Sequence, residues 1–92
     1  MQLGSLLARA MGDLREKQYQ DTFDATIAQL TMRRRTEMNF TLHECQKILE
    51  SEYINQGNNW VGRGSLQDIV QEATIAAYEV FIAEWRHERD QS

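Results

Sequence analysis

The sequence predicts an all-α fold, a small bundle of three principal helices within one domain spanning residues 1–92. Three observations carry this. None of the 92 residues is proline, where a typical chain of this length holds about four or five, so the strongest helix breaker is absent. Apolar residues recur at three- and four-residue steps over long segments. Capping residues mark two helix starts, at Thr41 and Ser65. No β-hairpin signal, internal repeat or low-complexity tract competes with this pattern.

The first helix is expected over 13–38. Asp13 can cap its start, and Phe23, Ile27 and Leu30 form its stripe, with Leu14 and Tyr19 one residue out of step. Arg33, Arg34 and Arg35 fall in its last turns, where cations complement the helix dipole. Residues 1–12 read equally as an extension, a tag remnant or a short N-terminal extra helix. Leu3, Leu6, Leu7, Ala10 and Met11 favour a helix there, and Gly4 and Gly12 weaken it.

The second helix is expected over 42–56. Thr41 and Glu44 match the S/T-x-x-E capping box, and Phe40 and Cys45 stand at the staple positions on either side of the cap. Leu42, Cys45, Ile48, Leu49 and Tyr53 share one face. Gly57 stands where a left-handed C-terminal stop is expected. The connector 57–64, GNNWVGRG, is the one clear loop and holds three of the five glycines.

The third helix, 65–89, gives the strongest signal. Ser65 and Asp68 mark its start. Leu66, Ile69, Val70, Ala73, Ala76, Ala77, Val80 and Phe81 form one apolar face, and Ile75, Tyr78, Ile82 and Trp85 form a second. A helix that is apolar nearly all round is buried nearly all round. Either this helix is central in the bundle, or its second stripe meets another molecule. The middle helix is too short to cover two helices of about 25 residues. That mismatch leads to the expectation of a self-associating protein, a homodimer burying Ile75, Tyr78, Ile82 and Trp85 between subunits. Ile82→Asp would then dissociate the dimer without unfolding the chain.

Ten basic and fourteen acidic residues give a formal charge of -4. The charge is uneven: residues 1–35 carry six basic and four acidic side chains, net +2, and residues 36–92 carry four and ten, net -6. A general nucleic-acid coat would be basic overall. No apolar run is long enough to span a membrane. The first residues lack the pattern of a signal peptide. Cys45 has no partner thiol, which fits a reducing cytosol, and a cytoplasmic location is expected.

Chemistry-bearing motifs are weak. The segment 57–65 has the outline of a phosphate loop, but Arg63 stands in place of lysine and Gly64 separates it from Ser65. The plain reading is a glycine-rich interhelical turn with Trp60 folded back as a plug on the core; the alternative makes Trp60 and Arg63 interface anchors, since both types are enriched at hot spots. The helices flanking the loop resemble a helix-turn-helix only loosely, because the connector is too long and the third helix opens with acids. His43, Glu44 and Cys45 are adjacent and point to different sides of a helix, and zinc spacings are absent. No nucleophile, base and orienting group converge. No metal or cofactor is expected, and no catalytic residue is named.

The function expected from sequence is therefore a non-enzymatic protein–protein interaction module: a small regulator, inhibitor or adaptor whose partner is itself or another protein. The alternative is a nucleic-acid-associated regulator using Arg33, Arg34 and Arg35.

Overall fold

A computed structural model describes residues 3–58 and 65–91, with side chains placed over 14–57 and 68–91. Three α-helices follow one another: α1 (Leu3–Thr36), α2 (Leu42–Asn58) and α3 (Ser65–Gln91). Among the described residues there is no strand. The all-α bundle expected from sequence is the fold.

α1 differs from expectation in being one continuous helix of 34 residues. Gly4 and Gly12 do not break it. Each costs about 1 kcal/mol against alanine, and the flanking Leu, Ala, Met, Arg, Glu, Lys and Gln are the best helix formers. Asp13 lies ten residues inside the helix, so it is not the N-cap. The Arg33–Arg35 run does occupy the last turn.

The turn into α2 follows the local chemistry closely. The Phe40 N–H donates to the Glu37 carbonyl at 3.2 Å, and the Glu44 N–H donates to Thr41 Oγ1 at 3.2 Å. Thr41 is thus the N-cap, bonding to N3 as a capping box requires. Phe40 and Cys45 are both buried in one cluster, the outcome a hydrophobic staple predicts. The other end of α2 departs from expectation. The helix continues to Asn58, and Gly57 lies within its last turn. A glycine near a fraying helix end loses less packing than one in the middle, so the helix passes it. Residues 59–64, which hold most of the glycine-rich connector, lie outside the described residues.

α3 is the central element. It packs against α1 on one side and α2 on the other, while the backbones of α1 and α2 do not approach one another. Direction follows from the contacts. Ile27 and Phe81 share a groove with Arg34 and Glu88, so α1 and α3 run the same way. Phe40 stacks near Trp85, and the Tyr53 hydroxyl donates to Glu79, so α2 runs oppositely. The topology is up, down, up.

The α1–α3 register sets large residues against small ones. Ala73, Ala77 and Phe81 are buried at four-residue steps on α3. The offset that aligns Ile27 with Phe81 brings Phe23 level with Ala77 and Tyr19 level with Ala73. Small residues allow helix axes to approach closely while the facing aromatic rings fill the space.

The second stripe of α3 is buried within the chain. Ile82 is 5% exposed, and Tyr78 and Trp85 pack against the cluster built from Leu30, Phe40, Cys45 and Phe81. Ile75 is also buried. Of the two alternatives read from the sequence, the central helix is the one the fold adopts. The covering material is α2 together with Phe40 in the turn that precedes it. Leu14, expected near the stripe of α1, lies on the far side at 66% exposure, and Val70 and Val80 are exposed on α3.

This placement changes the expected effect of Ile82→Asp. A carboxylate with no partner in this core destabilises by about 3–5 kcal/mol, so the variant should lose its cooperative urea transition. Leu30→Ala, at a site 1% exposed, should cost about 2–5 kcal/mol. A folded Ile82→Asp chain with an unchanged midpoint would contradict this packing.

Candidate interaction surface

The residues singled out from sequence fall into three groups. Trp60 and Arg63 lie outside the described residues. Ile75, Tyr78, Ile82 and Trp85 line the chain's own interior, as described above. Arg33, Arg34 and Arg35 stand at the end of the bundle where α1 meets the last turns of α3.

Successive helical residues point about 100° apart, and that divides the three arginines. Arg33 Nε lies 3.2 Å from Glu37 Oε2, and its guanidinium sits 4.2 Å above the Phe40 ring. Arg34 Nη2 lies 3.3 Å from Glu88 Oε1, with its guanidinium 4.3 Å above Trp85. Trp85 in turn meets Phe81 edge-on at 5.7 Å and Phe40 at 6.0 Å. Two of the three arginines therefore form the polar lid of an aromatic cluster, each with a carboxylate on one side and a ring beneath. Arg35 is exposed and makes no ion pair with a described residue. It is the one member of the run that presents an uncommitted charge, and a phosphate-binding role for the run would draw on it first.

The titratable groups are placed as packing dictates. Cys45 is fully buried, and desolvation pushes its thiol up to about 11, partly opposed by Arg33. Such a thiol is protonated at neutral pH and a poor nucleophile. Burial also raises Tyr78, and the hydrogen bond to Glu79 raises Tyr53. His43 is exposed, on a different side of α2 from Cys45. Among the described residues no group of His, Cys, Asp and Glu is arranged to hold a metal ion, and no helix is long and apolar enough to cross a membrane. The surface depressions are open. One of about 350 Å³ follows the α1–α3 groove, and one of about 420 Å³ lies over Ala28, Met32 and Thr36.

No family model, curated protein or solved structure matches the chain. Its function is therefore argued from its own surface. The large apolar side chains left exposed include Leu14, Met32, Met38, Ile54 and Val80. Sequence reasoning missed Leu14 and Met32 as surface residues. Polar Gln18 and Asp21 stand between them on the same face of α1, so the face does not look apolar in a simple count. The detectable signal was the alternation of four- and three-residue steps.

Two measurements check this geometry. Arg34→Ala removes a cation–π contact and an ion pair, both partly exposed, and should lower stability by about 1 kcal/mol and alter Trp85 emission. Arg35→Ala should change neither. Stability should also fall as pH rises from the unfolded thiol's 9.0 towards 11, because the unfolded chain releases the Cys45 proton first. The raised tyrosines act in the same direction. Urea midpoints across that range should fall less steeply for Cys45→Ala than for the native chain.

Proposed function

We propose that this chain is a non-enzymatic protein–protein interaction module that works as a homodimer, in the role of a small regulator, inhibitor or adaptor. The observation that supports this reading is the surface area. The chain exposes 6957 Å², whereas a compact monomer of 10.8 kDa exposes about 5,500 Å². The excess, about 1,400 Å², is the surface that an elongated chain leaves open.

The shape agrees with the area. The radius of gyration is 16.5 Å and the extents are 58 × 28 × 22 Å, against a radius of about 12 Å for a compact domain of this length. A 34-residue helix is about 51 Å long, and the 17-residue α2 spans half of that. Among the described residues, α1 has α3 as its single neighbouring helix, and its far side carries the exposed Leu14 and Met32. Charge is compatible with self-docking, since residues 1–35 are net positive and residues 36–92 net negative. Opposite patches steer encounter and fix orientation.

Size-exclusion chromatography with light scattering tests the reading. At tens of micromolar the expected mass is twice the 10.8 kDa of the chain. A strict monomer at that concentration overturns it.

A further inference from the structure

We infer that the first half of α1 is a strap on α3 that opens as a unit while the rest of the bundle stays folded. The inference concerns a single chain and does not rest on the homodimer reading.

Burial divides α1 into two unlike halves. The core cluster is built on Leu30, Phe40, Cys45, Phe81 and Ile82, and the first residue of α1 packed against it is Ile27. From residue 14 to residue 29 no described side chain is buried. In the register that levels Ile27 with Phe81, this half of α1 meets α3 at Ala73 and Ala77, through the half-buried rings of Tyr19 and Phe23. The two helices lie close there because the alanines are small. For the same reason each turn of contact removes little apolar area from water.

Polar contacts divide the helix at the same place. Among the described residues, the side chains of 14–26 bond only within α1. Gln18 Nε2 donates to Thr22 Oγ1 at 3.0 Å, and Gln20 Nε2 donates to Asp24 Oδ1 at 2.9 Å. Thr26 Oγ1 donates to the Thr22 carbonyl at 2.8 Å, and Lys17 Nζ lies 3.7 Å from Asp21 Oδ2. None of these contacts ties the helix to α3. The last turns of α1 are fastened instead. Leu30 is 1% exposed, Arg34 reaches both Glu88 and Trp85, and Arg33 covers Phe40.

An element with few buried apolar contacts opens at a lower free energy than the core. A helix in water draws most of its stability from packing, so a detached strap loses its backbone hydrogen bonds as well. Opening uncovers Ala73 and Ala77, both 0% exposed at rest. The closed strap therefore withholds an apolar face of α3, and the open chain presents it while Leu30, Cys45 and Ile82 stay packed.

Native-state hydrogen exchange on the full chain, at urea concentrations below the unfolding transition, tests this. The amides of 14–24 should share one protection factor, about 100-fold or more below that of 78–85, and their rates should respond less steeply to urea. Equal protection in the two segments overturns the strap. Protection that climbs residue by residue from 14 to 24 also overturns it, because that is fraying from the helix end. Leu49→Ala gives a second reading. Leu49 packs on the core cluster from α2, and its contact is present whether the strap is closed or open. The variant should speed exchange at 78–85 by about 10-fold or more and leave 14–24 at native rates. Equal acceleration of both segments makes the bundle one cooperative unit and ends the inference. Should Leu49→Ala fail to fold, the urea dependence of the native chain decides alone.

Discussion

The structure depends on one constraint: α3 carries apolar surface over more than half of its circumference and must be covered on two sides. Ala73, Ala77 and Phe81 on one side, and Ile75, Tyr78, Ile82 and Trp85 on the other, lie on an arc of about 200° when successive residues are set 100° apart. A single neighbouring helix covers too little of such an arc. α1 takes the first side in parallel and α2 the second in antiparallel. The short α2 suffices because Phe40, in the turn before it, extends the cover to Trp85. The staple that starts α2 and the closure of the core are thus one feature seen at two scales.

The arginine run shows how a local electrostatic rule and a tertiary contact meet. Cations in the last turn of α1 stabilise its dipole wherever they point. The 100° step between neighbours then gives each a separate environment. Arg33 and Arg34 lie over Phe40 and Trp85, whose faces are attractive to a guanidinium and whose edges complete the aromatic cluster. The carboxylates of Glu37 and Glu88 hold the guanidinium groups in place. This closes the wet end of the core with groups that keep their charge in solvent and their stems on the rings.

Much of this was legible in the sequence, for reasons that differ by element. Thr41, Glu44, Phe40 and Cys45 were readable because capping acts within five residues and needs no tertiary information. α3 begins at Ser65, the expected position, while the Ser65 side chain lies outside the described residues. The beginning of α1 was not readable, because Gly4 and Gly12 act against helix only weakly, while propagation through good helix formers accumulates over 34 residues. The end of α2 was misplaced for the same reason at Gly57. Both stripes of α3 were visible, but spacing alone does not say whether a stripe meets the same chain or another. Ile82 and Trp85 find their partner in Phe40 and Cys45, roughly 40 residues away, and only the fold brings these together.

The location of the unsatisfied surface follows from that assignment. Once α2 occupies the second face of α3, the shortage of covering material moves to α1. That helix has a single neighbour, so its far side has none. Leu14 and Met32 lie there with Ala25 and Ala28 between them. A helix whose outer face had only to be solvated would gain more from lysine and glutamate at those positions than from leucine and methionine, at no cost in helix propensity. The apolar choices at Leu14 and Met32 stand on one side of the helix, with Ala25 and Ala28 between them. The exposed apolar face of α1 is therefore a consequence of the core: covering α3 on both sides leaves α1 with a single neighbour.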